Sequence, residues 1–447
     1  MPTPRLLPRL ALGLSFLLAF PALAVPGFSV SKVAVQGDAA PGTADTFGSF
    51  LDVTLDAAGR VAFGVPMGSG FPNAGVWLDS GSGPTLQMRN GDPAPAPVSG
   101  TYLAFGSFVR MDGASGVATA VMVDIGGSGL GGLFRDDAGT DSSLIVEGDA
   151  APTPPSGTLD AAIADIGIFG INAAGDVAFV SDVTGGTAST GLFLRSAAGA
   201  VSLLAQDGDL VNGGPDAFVD FDFPSLNDAG HLAFAGALAG GTAGAGLFLD
   251  TGSGPTTLAL DGDAAPDTGG GSLVDFLYPA LNLGGDVAFL SNVSGGSATG
   301  GLFLATPAGL DSVVVENQVL PGLGPVTTIG SLPDLATDGS TAMSLGFASG
   351  PVAAGVYVHD TGVFEPVAVD GDVAPDTGGA SFASFGFVSR NDAGQVAFVA
   401  TLDDGRTGVF LATPVTTPHV PVLPLAALPL LGVVLAASAR RPLRDRH

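Results

Sequence analysis

Residues 258–304 read LALDGDAAPDTGGGSLVDFLYPALNLGGDVAFLSNVSGGSATGGLFL. The stretch holds one copy each of G-D-x-A-P, N-x-x-G-x-V-A-F and G-G-L-F, and all three return along the chain in the same order. Gly-Asp falls at Gly37-Asp38, Gly91-Asp92, Gly148-Asp149, Gly208-Asp209, Gly262-Asp263 and Gly371-Asp372. A degenerate copy, Asn317-Gln318, is followed by Pro321 in the place of Pro266. Successive intervals are 54, 57, 60, 54, 55 and 54 residues, so the chain carries seven copies of one unit.

Each unit reads as four short strands. A Phe-rich run such as 217–226 comes first, and N-x-x-G then turns the chain. Asn bonds its own backbone there and Gly supplies positive φ. V-A-F follows, then a Gly/Ser/Thr loop, then G-L-F-L, whose aromatic recurs as Trp77, Phe134, Phe193, Phe248, Phe303, Tyr357 and Phe410. A last strand runs into the Asp-Gly-Asp turn. Four strands per roughly 55 residues is the length of a propeller blade and too long for a β-helix coil. The expected fold is therefore all-β, a seven-bladed β-propeller.

The ends of the array predict how it closes. The first copy begins with its last strand, residues 29–36, and the seventh stops after its third strand, residues 408–412. The N-terminal strand thus supplies the one the final blade lacks, which would remove two exposed sheet edges.

Composition agrees with many tight turns and an exported, acidic surface. Among 447 residues are 70 Gly, 33 Pro, a single Lys (Lys32) and no Cys, so disulfides and a Cys-linked lipid are excluded. Setting aside Arg5, Arg9, Arg440, Arg441, Arg444, Arg446 and Asp445 leaves 8 basic against 41 acidic residues. Such a field repels nucleic acid and anionic lipid.

Residues 1–24 have the layout of a secretory signal: Arg5 and Arg9, the apolar run 11–20, then Ala22-Leu23-Ala24. The repeats occupy 25–414, a linker 415–419, and a tail 420–447. Residues 420–439 are twenty uncharged positions ahead of the Arg cluster, long enough for a membrane span with its basic end cytoplasmic, although Pro421, Pro424 and Pro429 crowd the first half.

The tail's layout, V-P-V-L-P, apolar stretch, R-R, resembles bacterial C-terminal sorting signals of the PEP-CTERM and IPTL-CTERM kind. The repeats resemble the choice-of-anchor NxxGxxxxAF tandem-repeat surface proteins. The resemblance implies a chain exported to the bacterial cell envelope, handled at its C-terminus by a sorting protease or transpeptidase, and then held at the surface or released. It implies no catalytic residues.

Two sets of carboxylates are candidates for chemistry. The turns with Asp207 and Asp209, Asp261 and Asp263, and Asp370 and Asp372 could offer oxygens to Ca²⁺, which takes roughly six to eight. Turn geometry alone also explains them. Seven residues before the Asn lie Asp165, Asp220 and Asp275, in consecutive units and hence side by side around an axis. Clustered carboxylates can share a proton or cleave a glycosidic bond. The corresponding places elsewhere hold Ser49, Ala104, Thr328 and Ser384. With no G-x-S-x-G and four scattered His, a nucleophilic mechanism has no support. The favoured reading is a non-enzymatic, exported surface module for an unidentified ligand or protein. Its alternative is a propeller hydrolase or lyase acting on extracellular polysaccharide.

Overall fold

A computed structural model describes residues 27–415, apart from 51, 66–73, 114–115, 161–167 and 331. The signal-like segment and the tail from 416 onward lie outside the described residues. Among the described residues no helix is long and apolar enough to cross a membrane. Phe28–Pro414 forms one compact unit.

The unit is a seven-bladed β-propeller. Its seven antiparallel sheets follow one another along the chain, each with its strands in sequence order. The exception is the last, in which Gly27–Val35 pairs with Thr407–Val415 and completes Val396–Leu402 and Phe382–Arg390. The predicted clasp is therefore present. Gln36 N donates to Thr407 O at 2.8 Å, and Phe50 N, entering blade 1, donates to Thr407 Oγ1 at 2.9 Å.

Seven apolar clusters fill the seven gaps between consecutive blades, the gap between blades 7 and 1 included. V-A-F explains how. Alternate residues of a strand face opposite sides of the sheet, so Phe234 points to one neighbouring blade and Ala233 to the other. Ala178 of blade 3 packs in the cluster with Phe234 and Phe248 of blade 4, and Ala233 of blade 4 with Phe289 and Phe303 of blade 5. Each blade thus presents a bulky face to a small-residue face. The Gly of G-L-F is required by the ring two residues on: a Cβ on Gly246 would stand 2.8 Å from Phe248 Cζ.

The Asn of the turn does more than turn the chain. Asn227 Oδ1 accepts from Ala229 N and His231 N, while its Nδ2 reaches the next blade and donates to Asn282 O at 2.8 Å. Asn172 bonds Asn227 O, Asn282 bonds Ala336 O, and Asn391 bonds Asp56 O across the closing seam. Blades 1, 2 and 6 carry Asp56, Asp112 and Ala336 at this place, none able to donate as Asn does. There the carboxylates of Asp56 and Asp112 take Arg60 and Arg135 instead.

Candidate functional site

The first strand of every blade lies nearest the axis, and the residues just before the turn Asn enclose an axial cavity of about 300 Å³. All seven blades contribute to it, through Asp52, Arg110, Ile171, Ser225, Tyr278, Asp334 and Arg390 in blade order.

A collar bounds it. Four residues before the turn position stand Phe108, Ile168, Phe223, Tyr278, Leu332 and Phe387, all half-buried, with Asp52 in the blade 1 place. Phe108 and Phe387 belong to blades 2 and 7, yet their rings meet at 6.0 Å across blade 1, where the smaller Asp52 leaves room. Phe223 and Tyr278 are 4.6 Å apart. Phe223, Tyr278 and Leu332 have φ of 52°, 51° and 59°, a region bulky residues avoid at a cost of about 1–3 kcal/mol. At the first two the strand also slips register, between Asp222 and Ser225 and between Leu277 and Ala280, so a bulge re-aims the side chain.

The charged groups stitch blades 6, 7, 1 and 2. Asp334 Oδ2 accepts from Arg390 N at 2.7 Å and Ser389 Oγ at 3.1 Å, and Ser389 Oγ in turn accepts from Leu55 N at 3.0 Å. Asp52 Oδ2 accepts from Val109 N at 2.9 Å and Arg110 Nη1 at 3.2 Å, while its Oδ1 has no partner. Asp52 is 1% exposed. Burial pushes its carboxyl above the usual carboxylate range, with Arg110 pulling the other way. Burial raises Asp334 too, and the charge of Arg110 also reaches it. Arg110 lies over the Phe108 ring, its Cζ 5.3 Å from the centroid. Arg390 Nη1 bonds Ser340 O, and its buried Nε has no acceptor.

None of these four charged residues was singled out from the sequence. The available signal was scarcity: the two Arg that fall one or two residues before a turn position, Arg110 and Arg390, come from only 14 basic residues.

The candidates taken from the sequence are placed differently. Asp165 lies outside the described residues. Asp220, Ala104, Thr328 and Ser384 all follow the first bulge of their inner strands, so the alignment that grouped them holds. Asp220 is exposed, accepts from Phe221 N at 2.8 Å, and lines a separate cavity of about 200 Å³ between blades 3 and 4 with Asp182 and Asp222. Asp275 is also exposed; it is bonded by Asn292 Nδ2 at 2.9 Å and lines neither cavity. Of the two that are described, Asp220 and Asp275 are thus not brought into one pocket.

The Asp-Gly-Asp carboxylates serve the backbone. Asp207 takes Ser189 N and Thr190 N, Asp261 takes Gly244 N, and Asp370 takes Ala353 N and Ala354 N, each pinning the loop before the third strand. Asp209, Asp263 and Asp372 accept from Gln206 N, Leu260 N and Val369 N, three residues back. Among the described residues no three His, Cys, Asp or Glu are grouped to hold a metal ion.

Away from the axis, blade 2 carries a pair of acidic side chains, Asp136 and Asp141. Tyr102 donates its hydroxyl to Asp141 Oδ2 at 2.9 Å, and Asp141 sits opposite Asp136 across a hairpin. Burial, opposed by the Tyr102 bond and reinforced by Asp136, pushes Asp141 up to about 6.

A family model matches residues 25–300 and 291–405, most of the chain. The chain belongs to DUF7453, a family of unknown function. No curated protein matches this DUF7453 chain in sequence. Among solved structures it is similar to an oligogalacturonate lyase in complex with manganese, at 14% identity and TM-score 0.46, over 89% of this chain and 95% of that one. A Dyadobacter fermentans protein of unknown function aligns at 11% identity and TM-score 0.35, over 86% and 98%. Trypanosoma rangeli sialidase aligns at 12% and 0.34, over 93% and 62%. At such distances a shared architecture carries no activity across.

Proposed function

We infer that this DUF7453 protein is an exported module of the bacterial envelope that binds a ligand or partner and does not transform it. The observation that carries this reading is the commitment of the carboxylates at the axis and in the turns. Glycoside cleavage needs two carboxyl groups facing one bond, roughly 5–10 Å apart. Here Asp220 and Asp275 occupy different surroundings, and the turn carboxylates are held by backbone N–H groups. Asp52 and Asp334 are held between blades. The signal-like residues 1–24, the strongly acidic body and the V-P-V-L-P…R-R tail support export and C-terminal sorting.

Two measurements test it. The purified protein is incubated with a panel of envelope and extracellular polysaccharides, and new reducing ends and unsaturated products are assayed. The expected result is none above a heat-killed control; turnover abolished by Asp220→Asn or Asp275→Asn would establish the hydrolase or lyase reading instead. For sorting, mass spectrometry of the exported protein is expected to find the Arg440–Arg446 cluster removed. An intact tail on exported protein sinks the processing step.

A further inference from the structure

The hairpin of Gly129–Asp137 and Asp141–Val146 in blade 2 sets two acids against each other. Asp136 and Asp141 are direct cross-strand partners at its closed end. Asp136 is 1% exposed and Asp141 half-buried. Each carboxyl has one oxygen served: Asp136 Oδ1 accepts from Gly139 N at 3.1 Å, and Asp141 Oδ2 from the Tyr102 hydroxyl at 2.9 Å. The remaining two, Asp136 Oδ2 and Asp141 Oδ1, are buried and have no donor. Two carboxylate oxygens only accept, so neither can serve the other unless a proton lies between them. Like charges directly opposite on paired strands repel, and burial sharpens the repulsion. No neighbouring cation relieves it. Arg135 is turned to the other face of the sheet, where it pairs with Asp112 and Asp137. Arg89, at the joint with blade 1, is paired with Asp92, whose own charge reaches Asp141. Two carboxyl groups so placed hold one proton in common.

The pair stands at the seam between blades 1 and 2. Tyr102 and Phe134, their rings 5.4 Å apart, pack with Val76 and Met88 of blade 1. Tyr102 is also tied to the joint, since Gly91 N donates to Tyr102 O at 2.7 Å and Tyr102 N to Asp92 O at 2.9 Å. A second full charge in the pair would therefore push against Asp92 through the residue that fastens the seam.

We propose that Asp136 and Asp141 hold one proton between them as a latch: while it is bound the seam between blades 1 and 2 is tight, and its release loosens that seam.

The test is urea unfolding of the full chain between about pH 4 and about pH 7, with wild type beside Asp136→Asn and Asp141→Asn. An amide in either place supplies through its own N–H the donor that the proton supplies, so each variant is expected to lose the pair's pH dependence. The folding constant of wild type relative to either variant is expected to fall about a hundredfold across that range, at no more than about tenfold per pH unit, the effect of one proton. A ratio that stays constant for Asp136→Asn while falling for Asp141→Asn would leave the proton on Asp141 alone, and two constant ratios would remove it. Either result overturns the proposal. Should a variant fail to fold, carboxyl-carbon NMR of the wild type decides: Asp136 and Asp141 are expected to shift in the same step near pH 6, and movement of only one overturns the sharing. Hydrogen exchange reads the seam. After correction for intrinsic rates, the amides of Gly91 and Tyr102 are expected to lose protection in wild type as the proton leaves and to keep it in Asp136→Asn. Equal protection in the two proteins at both ends of the range overturns the latch.

Discussion

At the scale of single residues, the turn Asn carries two separable duties. Its Oδ1 organises the turn, a duty Asp can perform, as Asp56 does for Ala58 N and Arg60 N. Its Nδ2 bonds the next blade, which Asp cannot do. Asn227→Asp therefore keeps the turn, loses the 2.8 Å bond to Asn282 O and sets a carboxylate against that carbonyl. It should destabilise the protein by about 1–3 kcal/mol in urea unfolding. Blade 1 shows the compensation, since Arg60 neutralises Asp56 from four residues on. Adding His231→Arg to Asn227→Asp should recover part of the loss, and equal stability of the single variant and wild type would dismiss the inter-blade role. A second residue-scale consequence concerns pH. Asp141 is raised from 3.8 to about 6 in the folded protein, so the native state holds a proton that the unfolded chain has released. Its contribution is complete below pH about 4 and is lost as pH climbs through about 6. Between those limits wild type should lose stability relative to Asp141→Asn, as measured by paired unfolding curves; a constant difference would place the proton elsewhere.

At the scale of elements, the strand Gly27–Val35 lies 380 positions in sequence from its partner, as Ser31 and Leu411 show, and it alone covers the outer edge of Thr407–Val415. Deleting residues 27–35 exposes that edge, and unpaired edges associate. The truncated protein should lose its monomer peak in size-exclusion chromatography. A circular permutant that moves residues 27–36 behind Val415 through a short Gly/Ser linker should elute as the wild type does. Failure of the permutant while the truncation stays monomeric would mean that the clasp is dispensable. The clasp was legible in the sequence because blade phase is carried by local motifs: Gly37-Asp38 ends a strand wherever that strand sits. The axial site was not. Asp52 stands where the other blades carry aromatic or aliphatic residues, Arg110 and Asp334 where they carry Thr, Gly, Ser or Ala, and Arg390 where they carry Leu, Ile or Met, so no repeat motif marks them, and they become a site only when the ring brings blades 6, 7, 1 and 2 together. Asp275 was among the candidates for a related reason. Nothing local demanded it, but its partner Asn292 lies on the adjoining strand, a pairing set by register.

At the scale of the whole molecule, net charge is the dominant feature: −28 at pH 7, with few basic residues to offset it. Self-repulsion of this kind opposes a compact ring and weakens as salt shortens the screening length, to about 10 Å at 0.1 M. Thermal unfolding should therefore shift upward between low and moderate NaCl. Ca²⁺ provides the discriminating comparison. Asp207, Asp209, Asp261, Asp263, Asp370 and Asp372 already accept backbone bonds that fix the loop and strand end beside them. A cation taking those oxygens would have to displace N–H donors that hold the blades in register. CaCl₂ at matched ionic strength should then raise the unfolding temperature no more than NaCl does, apart from the modest general effect of a divalent ion that MgCl₂ reproduces. A Ca²⁺-specific rise that saturates at a defined stoichiometry, and disappears in Asp261→Asn with Asp263→Asn, would show instead that the turns exchange backbone bonds for a metal and that the ring is stabilised from its joints.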